Sequence, residues 1–164
     1  MPDITILPIN TEDREWVAQF MQEQWGSDKV ISRGAAHYPQ FLPGFVALHE
    51  SEKVGLVTYN ITYESCEIVT INSTYPSSGI GTALLEAVEN TAIKCGCKRL
   101  WLITTNDNMN TLRFYQKRGF VLVAVHRNAL ERSRKMKPEI SLIGIDGIPL
   151  RDEIELEMIL NDKA

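Results

Sequence analysis

Small and hydroxyl-bearing residues cluster where a β-branched stretch gives way to a helical one. The β-branched residues end near position 73, the sequence Pro-Ser-Ser-Gly-Ile-Gly-Thr fills 76–82, and apolar residues then recur at helical spacing. The first N–H groups of a helix lack intrahelical partners, and its peptide dipoles add positive charge there. Gly79 and Gly81 allow a ligand close to the backbone, while Ser78 and Thr82 add hydroxyl groups. The turn is typical of a phosphate site, although a capped helix with a glycine-rich entry explains the same residues.

Two common nucleotide-binding loops do not fit this segment. A P-loop needs a lysine directly after its last glycine, and Thr82 follows Gly81. A dinucleotide fingerprint needs a third glycine where Leu84 stands, and leucine obstructs the close helix–strand packing. The pattern that remains is strand, G-x-G, helix.

That pattern resembles the acetyl-CoA pyrophosphate loop of the GNAT superfamily of N-acetyltransferases, written Q/R-x-x-G-x-G/A. Gly79 and Gly81 match the last two fixed positions, whereas the basic or amide position falls on Pro76. No lysine or arginine occurs in 54–93. The resemblance therefore implies somewhat weak CoA binding, through neutral donors and the helix dipole. Cations of a following helix are candidates to help: Arg113, Lys117 and Arg118.

A second segment strengthens the resemblance. The superfamily often carries Asn-x-x-Ala-x-x-Phe/Leu-Tyr-x-x-x-Gly-Phe after the next strand. Here the matching residues are Asn108, Thr111, Phe114, Tyr115, Gly119 and Phe120. Only the alanine position differs. The two motifs together cover residues 66–126, and the N-terminal third fits by the order of its elements alone.

The resemblance implies roles for particular residues. The donors to the pyrophosphate would be Ser78, Gly79, Ile80, Gly81 and Thr82. Ile71 and Ser73 would bind the pantetheine arm, with the Ile71 N–H polarising the thioester carbonyl. Asn108 would also contact the pantetheine, and Tyr115 would protonate the departing thiolate.

Acetyl transfer to an amine also needs a base, because an alkyl ammonium with a pKa near 10.4 stays charged at neutral pH. Glu67 is the candidate base, since it shares strand parity with Ile71. Glu64 lies at the neighbouring strand junction, and water relays could replace either carboxylate. Both glutamates could instead lie on a solvated strand face, Tyr115 could be a core aromatic, and Asn108 could be only a helix cap.

Composition narrows the class of protein. The chain has 164 residues and a net charge of −4, which indicates one domain over 1–164 and argues against a generally basic nucleic-acid surface. No apolar run reaches the length of a membrane span. The three cysteines and three histidines show no metal-site spacing, so we expect no metal, reduced thiols and a cytoplasmic location.

The apolar pattern predicts the order β-α-β-β-β-α-β-α-β and a last strand over 152–160. This is an α+β chain with a mixed, mostly antiparallel central sheet flanked by helices. The function predicted is an acetyl-CoA-dependent N-acetyltransferase that acts on a small-molecule or peptide amine by direct attack. Two alternatives remain, a non-catalytic acyl-CoA sensor and, more distantly, another nucleotide-binding protein. A homodimer formed through an exposed last strand or through 128–150 is a further hypothesis.

Overall fold

The computed structural model describes residues 3–75 and 78–160. Its strands are β1 (Ile4–Pro8), β2 (Val30–Ser32), β3 (Ala35–His37), β4 (Gly44–His49), β5 (Glu52–Thr62), β6 (Ser65–Ser73), β7 (Arg99–Thr105), β8 (Val121–His126) and β9 (Glu153–Ile159). Its α-helices are α1 (Arg14–Trp25), α2 (Ile80–Lys94), α3 (Met109–Lys117) and α4 (Ala129–Met136), with short 3-10 helices at Thr11–Asp13, Pro39–Phe41 and Ile145–Gly147. None of these described helices combines the length and apolarity needed to cross a membrane.

Seven strands form one sheet in the order β1-β4-β5-β6-β7-β9-β8. The β6–β7 pair is parallel and the other neighbours are antiparallel, which confirms the predicted mixed, mostly antiparallel α+β architecture. The last strand, β9, lies between β7 and β8. The expectation that it is exposed for pairing with a second subunit is therefore wrong, because both of its edges are already hydrogen-bonded.

Strands β6 and β7 pair over a short stretch and then separate. Their register runs from Ser65 opposite Arg99 to Ile68 opposite Leu102. Beyond Ile68, β6 continues to Ser73 against β5. The sheet therefore opens into a wedge between the second half of β6 and β7, at the end where β6 leads into α2.

The two faces of the sheet carry separate apolar clusters. Adjacent strand residues point to opposite faces, so Leu56 and Val57 of β5 divide between them. Leu56 packs with α1 through Val17, Phe20 and Met21. Val57 belongs to the larger cluster, which contains the apolar face of α2 and also Tyr115 of α3.

The segment 26–43 contains more order than the sequence predicts. It holds the 3-10 helix at Pro39–Phe41 and the hairpin β2–β3, which was not predicted from the sequence. Its register pairs Val30 with His37 and Ser32 with Ala35. The alternation of strand residues places these four side chains on one face of the hairpin.

Two reciprocal contacts attach this hairpin to α4. Lys29 Nζ donates to the Met136 carbonyl at 2.9 Å, and Lys137 Nζ donates to the Lys29 carbonyl at 2.8 Å. The hairpin and the end of α4 therefore form one wall on the sheet face that carries α1.

Candidate functional site

The start of α2 has the backbone geometry of an anion site. Gly79 caps the helix at φ +86°, a left-handed conformation that side chains disfavour. The Ala83 N–H already bonds to the Gly79 carbonyl at 3.1 Å. The N–H groups of Ile80, Gly81 and Thr82 precede the first intrahelical bond and remain available to a ligand. The Ile80 side chain, in contrast, is buried in the core, so only its backbone can serve the site.

Arg118 supplies a positive charge beside this helix start. Its Nε and Nη2 atoms donate to Thr82 Oγ1 at 3.0 and 2.8 Å, and Nη1 donates to the Phe114 carbonyl at 2.8 Å. The guanidinium also stacks on the Phe114 ring, 3.7 Å from its centroid. Thr82 Oγ1 accepts these bonds and donates to no described residue, so its hydroxyl proton can bond a ligand. A side chain at Gly81 would press on the same ring, with a Cβ 3.3 Å from Phe114 carbon atoms.

The serine hydroxyls of the loop are less available than the sequence suggests. Ser78 Oγ donates to the Tyr75 carbonyl at 2.5 Å, and Ser73 Oγ donates to the same oxygen at 3.3 Å. Both hydroxyl protons are thus used within the loop. Pro76, where the family pattern has a basic or amide residue, and its neighbour Ser77 lie outside the described residues.

A cleft of about 570 Å³ runs from this loop along α3 to the last residues of β6. Its lining contains these predicted cofactor-binding residues: Ile71, Ser73, Ser78, Gly79, Gly81 and Thr82. Tyr115 lines it too, as do the cations Arg113, Lys117 and Arg118. The cleft thus has apolar walls near the sheet and three positive charges near α2, which suits a long ligand with an anionic end.

The backbone of β6 directs two N–H groups, those of Ile71 and Ser73, away from β5. Thr74 N–H bonds to the Val54 carbonyl of β5 at 2.9 Å. Successive N–H groups of a strand alternate in direction, so those of Ile71 and Ser73 point away from β5 and towards the opening. The Ser73 N–H is taken by Asn72 Oδ1 at 3.0 Å. The Ile71 N–H is therefore the donor of this pair that a carbonyl in the wedge could reach.

Tyr115 lies at the inner end of the cleft. It is 2% exposed and makes edge-on contacts with the rings of Phe114 and Phe120. Burial raises the pKa of the Tyr115 hydroxyl well above its usual range, and nearby Arg118 only partly offsets this. The part of the chain that the structure describes offers this hydroxyl no hydrogen-bond partner. The phenol is a neutral donor held by its ring contacts, with its O–H uncommitted.

Asn108 has a structural role and a free amide. Its side-chain oxygen accepts from the Thr111 N–H at 3.2 Å and so caps α3, as the alternative interpretation predicts. Its NH₂ group has no partner among the described residues. Asn108 lines a second cavity rather than the cleft beside α2.

This second cavity, of about 440 Å³, adjoins the cleft from the other side. Both are lined by Ile71, Asn72, Thr111 and Tyr115, so the two spaces meet at these residues. The rest of the second cavity's wall comes from the end of α1, the hairpin, β6, β7 and β9, Asn108 and residues 130–150. The segment 128–150, whose role the sequence does not indicate, thus supplies part of its wall.

Glu67 is a buried carboxylate in this second cavity. It is 6% exposed, so the expectation that it lies on a solvated strand face is wrong: the hairpin covers that face. Ser32 Oγ donates to Glu67 Oε2 at 2.6 Å, and His37 Nε2 lies 3.7 Å from Oε1. Burial raises the pKa of Glu67, with added repulsion from Glu153 and Glu155, while the Ser32 hydrogen bond opposes the rise.

Glu64, the other candidate base, lies elsewhere. Its carboxylate is 64% exposed and pairs with Lys98 at 3.2 Å. Glu64 lines neither cavity. Over residues 3–75 and 78–160, no group of three or more acidic, histidine or cysteine side chains is arranged to hold a metal ion.

Sequence reasoning missed two residues of the site, Ser32 and His37. Both belong to the hairpin, whose strands of three residues are too short to show a clear alternation. A Ser-x-Gly turn at 32–34 followed by small residues was the available signal, and it is weak.

Comparison with known proteins agrees with this geometry. The profile of the Acetyltransferase (GNAT) family matches residues 10–120. The Bacillus subtilis protein YdhI is 40% identical over 157 residues, which cover 95% of this chain and 98% of YdhI.

Solved structures share the fold. A structure titled IAA acetyltransferase from Bacillus cereus ATCC 14579 superposes with a TM-score of 0.76 at 26% identity, covering 96% of this chain and all (100%) of that one. A GNAT family acetyltransferase from Elizabethkingia anophelis with acetyl-CoA bound gives a TM-score of 0.70 at 23% identity over 98% of this chain and 100% of its own. The wedge, the glycine turn and the family match lead to one conclusion: this chain belongs to the GNAT family of acetyltransferases.

Proposed function

We propose that this protein transfers the acetyl group of acetyl-CoA directly to a primary amine. The observation that carries the proposal is the meeting of two cavities at Ile71 and Tyr115, one of about 570 Å³ and one of about 440 Å³. A site of this form lets two substrates enter from different sides and react where the cavities join. Acetyl-CoA supplies the activated acetyl group as a thioester.

The first cleft suits acetyl-CoA by its donors and charge. The free N–H groups at the start of α2, the Thr82 hydroxyl and the Arg118 guanidinium would hold the diphosphate. The Ile71 N–H would donate to the thioester carbonyl oxygen as negative charge develops there. Removing one such donor typically costs about 2.7–4 kcal/mol of transition-state stabilisation.

Two side chains would move protons. Glu67 would accept a proton at Oε1 from the incoming ammonium, because Oε2 already accepts the Ser32 hydrogen bond. Tyr115 would donate its hydroxyl proton to the leaving thiolate, and its raised pKa keeps the phenol protonated until then. Asn108 lines the second cavity, so its free NH₂ group would contact the pantetheine arm where that arm reaches the junction of the two cavities.

A covalent acetyl-enzyme is not part of this proposal. None of the described cysteines lines either cavity. Burial raises the pKa of the Cys66 thiol to about 12, so little thiolate forms there at neutral pH. The acceptor would therefore attack the thioester itself in a ternary complex. A cytoplasmic location fits these free thiols and remains a prediction.

The proposal is tested by calorimetric titration with acetyl-CoA, with NAD and ATP as controls, followed by a thiol-release assay. The amines to try are 2-phenylethylamine, spermidine and a tripeptide with a free N-terminal alanine. Selective acetyl-CoA binding with amine-dependent thiol release supports an N-acetyltransferase. Binding without thiol release from any of these amines favours the acyl-CoA sensor, and absence of binding at millimolar acetyl-CoA removes both.

A further inference from the structure

The β2–β3 hairpin holds a histidine against the carboxylate of the proposed base. His37 Nε2 lies 3.7 Å from Glu67 Oε1, and Ser32 Oγ donates to Glu67 Oε2 at 2.6 Å. The hairpin register places Ser32 and His37 on the same face. The two oxygens of Glu67 thus have different neighbours, a fixed hydroxyl on one and an imidazole on the other.

The proposed reaction leaves a proton that must leave the site. A protonated amine and a thioester become an amide, a thiol and one free proton. The new bond joins nitrogen to the acetyl carbon, the carbon–sulfur bond breaks, and its electron pair stays on sulfur. One nitrogen proton ends on the thiol, through Tyr115, and the other ends on Glu67. Glu67 must lose that proton before the next turnover, yet its side chain is only 7% exposed.

We propose that His37 takes this proton from Glu67 and releases it to solvent, so that the hairpin is a proton exit as well as a wall. The inference rests on the proposed function. His37 acts through Glu67 and is therefore a positioning residue rather than a group that touches the reacting atoms. A gap of 3.7 Å is longer than a hydrogen bond, and a side-chain shift below 1 Å or one bridging water closes it.

The charged groups around Glu67 leave this role to His37. From β9, Glu153 and Glu155 repel the Glu67 charge. Glu153 is engaged by Arg33 at 3.4 Å, and Glu155 is engaged by His126 at 2.9 Å and by Arg99. In the part of the chain that the structure describes, His37 is the basic side chain placed at the Glu67 carboxylate itself.

Burial brings the pKa values of Glu67 and His37 closer together. It raises the pKa of Glu67 and lowers the pKa of His37. Their usual values, near 4.3 and 6.5, therefore converge, so the free-energy difference between the proton on Glu67 and the proton on His37 becomes small and the proton can move in either direction. The His37 side chain is 13% exposed against 7% for Glu67, so the route leads outward.

The test compares His37→Ala and His37→Gln with wild type, using the fastest of the three amines named above. His49→Gln is the matched control, because His49 lies on β4 and lines neither cavity. We expect kcat to fall by about tenfold or more in both His37 variants, with the KM of both substrates unchanged. Added imidazole should restore His37→Ala towards wild type and leave wild type, His49→Gln and Glu67→Gln unchanged.

The outcomes separate the two proposals. A His37→Gln enzyme with wild-type kcat overturns the relay, as does a slow His37→Ala enzyme of wild-type melting temperature that imidazole does not accelerate. In either case amine acetylation by the wild type still stands. If wild type releases thiol with none of the three amines, the acetyltransferase proposal and the relay fail together.

Discussion

Burial raises the pKa of both proposed proton-transfer residues and favours the neutral form of each, which suits them to different steps. For Tyr115, a higher pKa means that the phenol stays neutral and keeps the proton it is proposed to donate. For Glu67, a higher pKa means that the ionised carboxylate is destabilised and accepts a proton more readily. One physical cause, removal from water, therefore suits one group to act as an acid and the other as a base.

Tyr115→Phe tests whether Tyr115 is the general acid that protonates the leaving thiolate. The substitution keeps the ring contacts with Phe114 and Phe120 and removes the uncommitted hydroxyl. We expect kcat to fall by about 10²-fold while the Kd for acetyl-CoA stays unchanged. Tyr59→Phe, on β5 and away from both cavities, is the control and should behave as wild type. A Tyr115→Phe enzyme with full kcat would assign this residue to the core alone.

Glu67→Gln separates activity from stability. Between the ordinary glutamate pKa near 4.3 and the raised one, the folded state binds more protons than the unfolded state. The free energy of unfolding therefore falls as pH rises across that window, and Gln removes this penalty while still accepting from Ser32. At pH 8 we expect an equal or higher melting temperature together with a large loss of kcat. Glu64→Gln is the exposed control, and equal activity of the two variants would remove Glu67 as the base.

In the wild type, kcat should rise with pH as Glu67 ionises. The midpoint should lie above the usual glutamate pKa, because the buried carboxyl keeps its proton to higher pH. A pH–rate profile measures it. A midpoint at or below 4.3 would contradict the assignment.

Arg118→Gln tests the charge beside the phosphate loop. Lys117→Gln is the matched control, since Lys117 also lines the cleft but makes no contact with Thr82. We expect the Kd for acetyl-CoA to rise about tenfold in Arg118→Gln, with a weaker salt dependence, and to change little in Lys117→Gln. Acetyl-pantetheine, which lacks the diphosphate, should react equally well with both. Equal losses of acetyl-CoA affinity in the two variants would show that Arg118 has no special position.

At the scale of elements, the segment 138–150 is held in place by Asp107, which follows the end of β7. Asp107, which is buried, accepts from Thr105 Oγ1 at 2.5 Å and from the Ile145 N–H at 2.8 Å. Gly144 leaves no room for a side chain, because a Cβ there would lie 2.2 Å from Asp107 Oδ2. Asp107 thus fixes the loop that completes the wall of the second cavity.

Asp107→Ala should loosen that wall without affecting the cofactor cleft. The substitution removes the part-buried hydrogen bond from the Ile145 N–H to a carboxylate, and such a bond to a charged group typically contributes about 1.5–3 kcal/mol. We expect a lower melting temperature and a higher KM for the amine, with the Kd for acetyl-CoA unchanged. Asp146→Asn, in the exposed turn of the same loop, is the control, because asparagine tolerates the left-handed backbone at this position. A change in acetyl-CoA affinity alone would mean that the loop serves the other cavity.

The same scale shows what the sequence could predict. The α2 and α3 motifs were predicted from local signals, namely glycines and capping residues next to strongly periodic apolar residues. Both helices are present in the structure as predicted. The hairpin β2–β3 has no such signal. Nor does the insertion of β9 between β7 and β8, because strand order depends on contacts between distant segments. Burial of Glu67 follows from the hairpin, so it was missed for the same reason.

At the scale of the whole molecule, ligand binding should raise the free energy of unfolding. The proposed acetyl-CoA cleft is lined by the end of β6, the start of α2 and α3, so a ligand there would bridge three separate elements. A ligand that binds only the folded state, and is present at about 100 times its Kd, adds about 2.7 kcal/mol to the free energy of unfolding. For a chain of this size we expect acetyl-CoA to raise the melting temperature by about 5–10 °C. Arg118→Gln should require more acetyl-CoA for the same shift, and NAD should produce none. An equal shift with NAD would mean that the cleft recognises a diphosphate without selecting the pantetheine arm, and would return the function to a general nucleotide-binding protein.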